Sequence, residues 1–231
     1  MIQDTQKDPR FSDIGNLPSN FWPYDFKQLS IRPFTVAEFK LLSRAAVTKD
    51  NTPLLKAVDM VIDQDASQLT QGDFYYALMW LKLHSFPKTP LTVSWTCNAS
   101  YKGNTCGQAN AQLIHQSQIE IVSFDEDKPI ELPAGIDYPR ASLIPETHNF
   151  MSNPDLVYIV PAAQWVKEGR NLDEKIKYLE SLPDTELFEL ALDTNNSIVH
   201  GIRETVQLKC SKCGAAFEYR LELEPHNFFR S

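Results

Sequence analysis

Val206-Gln-Leu208-Lys-Cys210-Ser-Lys-Cys213-Gly214-Ala-Ala-Phe217-Glu-Tyr219-Arg-Leu221 reads as a strand, a tight turn and a returning strand. Val206, Leu208 and Cys210 alternate on the way in, and Phe217, Tyr219, Leu221 and Leu223 alternate on the way out. That is the period of strands with one buried face. Cys210-x2-Cys213 is a metal-knuckle spacing, and Gly214 behind the second thiol leaves room for backbone N–H groups to turn toward the sulfurs.

One knuckle supplies half of a tetrahedral site. The other half is read at Cys97-Asn-Ala-Ser-Tyr-Lys-Gly-Asn-Thr-Cys106-Gly107, entered through the alternating Leu91, Val93 and Trp95. Its spacer is longer than the two residues between Cys210 and Cys213. Together Cys97, Cys106, Cys210 and Cys213 have the layout of a zinc ribbon, and four thiolates suit a closed, structural Zn2+ site. Two disulfides or four buried free thiols are the competing readings, and a mixed site with His115 or His226 in place of Cys97 is another. The polar start Met1-Ile-Gln-Asp-Thr-Gln-Lys-Asp has no signal-peptide character, so a reducing compartment is expected and disulfides are disfavoured. In that setting Asn98-Ala-Ser100 and Asn195-Asn-Ser197 are chance matches to a glycosylation acceptor.

A chain of 231 residues with 42% hydrophobic content can bury one good core or two small ones. Its 22 Lys and Arg against 30 Asp and Glu give a net charge of -8. No basic cluster stands out beyond Lys209 and Lys212, so a polyanion is repelled and protein partners are expected rather than nucleic acid. No apolar run reaches bilayer length; Phe74-Tyr-Tyr-Ala-Leu-Met-Trp-Leu81 is interrupted at Lys82, and neither a membrane nor a small-molecule substrate is expected.

Helical signals surround the cysteine segments. Thr35 with Glu38 reads as a capping box and Phe34 with Phe39 as a staple, ahead of Val36, Phe39, Leu42 and Ala46 on one face. Thr52-Pro53 starts a second helix carrying Leu54, Leu55, Val58, Val61 and Ile62. Thr70 with Asp73 starts a third, apolar nearly all round from Phe74 to Leu83 and therefore buried, inside the fold or against another subunit. Residues 118 to 124 read as a strand, and 125 to 153 as a connecting loop with a short strand. Further helices are expected after Pro161, at Asn171 with Glu174, and after Leu182-Pro-Asp184.

The expected fold is α+β, a helical N-terminal part and a second helical insertion packed on a small antiparallel β zinc-ribbon-like unit. The segments are an arm over 1–28, a helical region over 29–86, and the first half of the ribbon over 87–133. A loop and helical insertion over 134–200 precedes the second half and an aromatic tail over 201–231.

No catalytic constellation stands out. Asp59, Asp63 and Asp65, and the run Asp125-Glu126-Asp127, read as solvated charge. His84, His115, His148, His200 and His226 lack ligand spacing, and neither a Gly-rich phosphate loop nor a G-x-S-x-G elbow occurs. The expectation is a protein that is not an enzyme.

Four segments in order carry a family likeness. Ile31-Arg-Pro-Phe-Thr-Val-Ala-Glu-Phe-Lys-Leu-Leu-Ser-Arg-Ala45 follows an R-x-F-x-V-x-E-x-K-x-L-x-x-A pattern, and Leu69-Thr-Gln-Gly-Asp-Phe-Tyr-Tyr-Ala-Leu-Met-Trp-Leu-Lys-Leu-His-Ser85 is an aspartate-led helix before the first knuckle. Ile198 to Gly214 carries the second knuckle, and Leu221-Glu-Leu-Glu-Pro-His-Asn-Phe-Phe229 is an aromatic finish. Over residues 29 to 229 the chain resembles the baseplate hub and hub-assembly proteins of T-even-type contractile-tailed bacteriophages; the enlarged Cys97–Cys106 loop and the arm before residue 20 depart from the pattern. The resemblance implies a non-enzymatic component of the virion tail baseplate, present in the host cytoplasm during assembly, or a factor for assembling the hub. Its partners would be other baseplate and tail hub proteins. Tyr75 and Trp80 of the aromatic helix, and Phe228 and Phe229 of the tail, are the candidate contacts; the tail reads equally as folding back on the ribbon. A zinc-ribbon module of transcription or nucleic-acid handling is the alternative, and it has only Lys209, Lys212, Tyr219 and Arg220 to offer.

Overall fold

The computed structural model describes residues 10–48, 50–85, 91–203 and 205–221. Strand β1 (Ser12–Asp13) pairs antiparallel with β2 (Ser30–Ile31), Ser12 opposite Ile31. Composition suggests an arm here, but Ile14, Leu17, Phe21 and Tyr24 between the two strands are all buried. Four apolar anchors in a polar segment are enough to dock it.

Helix α1 (Val36–Thr48) begins as its capping signal predicts: Thr35 N–H donates to Glu38 Oε2 at 2.6 Å, and Ala37 N–H to Thr35 Oγ1 at 3.3 Å. Its buried face differs from the one read from Val36 and Phe39, which are 77% and 43% exposed, whereas Glu38, Leu42 and Ala45 are buried. The cause is an ion pair. Arg32 Nη2 lies 2.9 Å from Glu38 Oε1 and donates to the Met60 carbonyl at 3.0 Å, so the carboxylate is held inward and the helix presents that face to the core.

Helix α2 (Thr52–Asp59) carries Pro53 in its first turn and stops before Val61 and Ile62. Those residues leave the helix to bond β2: Arg32 N–H donates to the Val61 carbonyl at 2.9 Å, and Ile62 bridges Ile31. Helix α3 (Gln71–Ser85) is a shared wall, which accounts for its all-round apolar surface. Phe74, Ala77, Leu78 and Leu81 pack with Leu17, Leu29, Leu42 and Leu54 in a first core. Met79 faces the other way, into a separate cluster with Val93, Ile114, Ile119, Val206, Leu208 and Leu221.

That second cluster fills the space between two hairpin-like ribbons. β3 (Leu91–Thr96) bears a short side hairpin, β4 (Ser100–Tyr101) with β5 (Asn104–Thr105), and pairs antiparallel with β6 (Ala109–Ile114), Trp95 opposite Asn110. The expected strand over 118–124 shrinks to β7 (Ile121–Val122), because Gln116–Gln118 form a 3-10 turn.

The stretch read as a loop over 125–153 contains helix α4 (Ile144–Met151), a missed element whose Pro145 sits in the first turn, where proline is tolerated. α5 (Val160–Ala163), α6 (Leu172–Ser181) and α7 (Glu186–Ser197) follow, with Asn171 Oδ1 capping α6 through Glu174 N–H at 2.8 Å. Their apolar faces meet Phe124, Tyr138, Trp165 and Val166 in a third core.

β8 (Gly201–Ile202) returns to pair with β7, and β9 (Thr205–Lys209) pairs antiparallel with β10 (Ala216–Arg220). Helices and small two-stranded antiparallel sheets make the architecture α+β. No helix among the described residues is long and apolar enough to cross a membrane.

Candidate metal centre

Cys97 follows the last residue of β3, and Cys210 the last residue of β9. Each then makes the same backbone pattern. Cys97 N–H donates to the Gln108 carbonyl at 2.9 Å and its own carbonyl accepts from Gly107 N–H at 3.0 Å; Cys210 N–H donates to the Ala215 carbonyl at 3.0 Å and its carbonyl accepts from Gly214 N–H at 3.0 Å. The glycines have φ of +62° and +72°, the left-handed region that only glycine enters without strain, so each knuckle turns back at that residue.

The long first spacer is absorbed by the side hairpin. Lys102 and Gly103, with φ of +52° and +82°, form its two-residue turn, the sign pattern of a type I′ hairpin. Cys106 N–H donates to the Ala99 carbonyl at 2.8 Å, closing the base of that hairpin. The extra residues protrude and the two cysteines stay neighbours.

All four sulfurs lie within 4.8 Å of one another. Cys97 Sγ is 3.7 Å from Cys213 Sγ, and Cys106 Sγ is 3.8 Å from Cys210 Sγ. The sulfurs of a tetrahedral site with Zn–S near 2.3 Å stand about 3.8 Å apart, so this donor set fits a zinc ion. A disulfide requires about 2.05 Å, and all four cysteines are free thiols. Cys97, Cys106 and Cys210 are buried and Cys213 is half-buried, among Ala99, Tyr101 and Ala215. Within the cluster the thiols are pushed apart. The backbone N–H of Cys213, against burial and with help from Lys212 N–H, lowers Cys210 to about 6. Cys97, against the Ala99 backbone N–H, is pushed up to about 12 by burial and the other thiols, and Cys106 is raised as well. Among the described residues no other group of three or more His, Cys, Asp or Glu side chains is placed to hold a metal; His115 is exposed and outside the cluster, and His226 lies outside the described residues.

The remaining candidates are dispersed. Tyr75 is half-buried and lines an open cleft with Trp165, His200 and Arg203. Trp80 is half-buried, stacked on His84 with ring centroids 3.8 Å apart, and borders a narrow apolar groove with Met79, Leu83 and Ile119. Phe228 and Phe229 lie outside the described residues. Asp59, Asp63 and Asp65 do not converge on a ligand: each carboxylate accepts a backbone N–H, from Ala66, Ser30 and Ser67 respectively.

Sequence reasoning missed a buried polar chain. Asp73 Oδ2 accepts from the Tyr24 hydroxyl at 2.6 Å and Oδ1 from Ser19 N–H at 3.0 Å, while Tyr24 Oη accepts from Thr70 N–H at 2.7 Å. Thr70 Oγ1 lies 2.6 Å from His200 Nε2. Burial, then the Asp73 carboxylate, raise the Tyr24 phenol far above its ordinary range; burial lowers His200, against the pull of Asp73. The only sequence signal was Asp73 three residues after Thr70.

No curated protein matches the chain, and no solved structure does. A family model described as T4 bacteriophage base plate protein matches residues 16–230, from the docked N-terminal segment through both cysteine knuckles. A match over nearly the whole chain shows that it belongs to the T4 bacteriophage base plate protein family.

Proposed function

We propose that this chain is a non-enzymatic structural component of the hub region of a contractile phage tail baseplate, with zinc held by Cys97, Cys106, Cys210 and Cys213. The observation that carries the zinc reading is the pair of sulfur separations at 3.7 and 3.8 Å, bridging the two knuckles. When bound, the ion supplies a redox-inert tetrahedral cross-link. The chain's own residues do the rest: the glycine turns aim the thiols, and the β3–β6 and β9–β10 ribbons that carry them are anchored by Val93, Ile114, Val206 and Leu208 on the Met79 face of α3. Four thiolates leave no open coordination position for a substrate, which favours a structural role over hydrolytic chemistry.

The hub assignment rests on the order of the four likeness segments. Other baseplate and tail hub proteins are the partners, with Tyr75, Trp80, Phe228 and Phe229 as contacts, in the virion tail and in the host cytoplasm while tails are built. Permanent subunits need large apolar contacts, whereas assembly factors need a smaller surface that releases. Quantitative mass spectrometry of purified particles and of tail intermediates tests the reading. Fixed stoichiometry in particles makes the chain a permanent subunit, and presence in intermediates alone makes it an assembly factor. Absence from both, with salt-dependent retention on DNA, overturns the hub reading.

A further inference from the structure

We propose that Asn110, a residue of β6 outside the ligand set, is the positioning residue that joins the two cysteine knuckles and holds Cys210 for the metal; this rests on the zinc reading above. Its amide uses every hydrogen-bonding function it has. Oδ1 accepts from Ser211 N–H at 3.0 Å and from the Ser211 hydroxyl at 2.9 Å. Nδ2 donates to the Gln108 carbonyl at 2.9 Å and toward Cys210 Sγ at 3.8 Å.

These four partners span both halves of the site. The Gln108 carbonyl also receives Cys97 N–H, so it is part of the first knuckle, while Ser211 is the residue between Cys210 and the rest of the second turn. One side chain thereby fixes the first knuckle's backbone, the second knuckle's backbone and one sulfur. The amide orientation is dictated by its neighbours: a flip would set the NH2 group against the Ser211 backbone N–H and the carbonyl oxygen against the Gln108 carbonyl.

The physical role follows from charge. A thiolate ligand carries negative charge that an N–H donor offsets, and outer partners of this kind change metal affinity by about 10- to 100-fold when removed. Asparagine is suited to the place because aspartate, though isosteric, keeps the Ser211 contacts and turns the sulfur-facing atom into an anion.

The test uses the full chain loaded with zinc, comparing wild type, Asn110→Ala and Asn110→Asp. Zinc release to a chromogenic chelator is timed, and the visible spectrum of the cobalt-substituted protein is recorded alongside the helical circular dichroism. Both variants are expected to release zinc faster by about 10-fold or more, Asn110→Asp fastest, with the thiolate-to-cobalt absorption shifted and helical signal retained. A role limited to stapling Ser211 would leave Asn110→Asp like wild type and overturns the proposal. Wild-type release rates in both variants overturn it as well. A wild-type chain that binds no zinc overturns the zinc reading itself, and this proposal with it.

Discussion

The sulfur of Cys97 lies 3.7 Å from that of Cys213, 116 positions further along the chain. The contact pairs the first cysteine of one knuckle with the second of the other, and Cys106 pairs with Cys210 in the same crossed fashion. A cross-link at this point closes a loop containing helices α4 to α7, so its contribution scales with the logarithm of that length.

Cys213→Ser is expected to abolish stoichiometric zinc and lower the unfolding midpoint. The loop-closure part of that loss, over 116 residues, is on the order of 4 kcal/mol. Hydrogen exchange should rise in β3, β6, β9 and β10 and stay low in α3 around Phe74 and Leu78, which pack on the first core. Unchanged exchange in the four strands would contradict the account.

The Arg32–Glu38 pair predicts an acid-sensitive step. Burial works to raise the Glu38 carboxyl, but Arg32 and Thr35 outweigh it and lower it from 4.5 to about 2. A carboxylate depressed in the folded state stabilises above its unfolded value, and that contribution fades as pH falls from about 4.5 toward 2. Glu38→Gln should lose on the order of 1–3 kcal/mol at pH 7 and flatten the stability profile below pH 4.5 relative to wild type. Since a thiolate-bound metal would also be shed in acid by both proteins, the difference between their profiles is the quantity to measure by denaturant unfolding.

Tyr24→Phe removes the hydrogen bond to Asp73 Oδ2 and leaves a buried carboxylate oxygen short of a donor. The expected loss is about 1–3 kcal/mol at neutral pH. Because the folded phenol is raised above its ordinary value of 10, its contribution is complete below about pH 10 and declines above it. The variant should therefore approach wild type in thermal melts as pH rises past that point.

Replacing Asn98 to Thr105 by the Ser-Lys spacer of the second knuckle should leave zinc stoichiometry unchanged, since the side hairpin returns the chain to the point where it left. Loss of metal in that variant, read by elemental analysis, would give the hairpin a role in the site.

The knuckles were legible because thiol spacing, a following glycine and strand alternation are all local signals. The caps at Thr35, Thr70 and Asn171 were legible for the same reason. The inward face of α1 was not: it depends on Arg32 reaching Glu38, a buried charge that hydrophobic periodicity counts as exposed. α4 was hidden by a proline that reads as a breaker unless its place in the first turn is known. The docking of Ile14 to Tyr24, the Tyr24–Asp73 bond and Asn110's four partners join residues far apart in sequence, and one chain read alone carries no record of such pairings.

Native mass spectrometry of the purified full chain tests the central claim most directly. The expected mass exceeds the fully reduced polypeptide by one zinc ion, less the protons its thiolates release, and that ion is lost on treatment with a strong chelator. A metal-free mass in a chain whose β3–β6 and β9–β10 strands remain protected from exchange would contradict it.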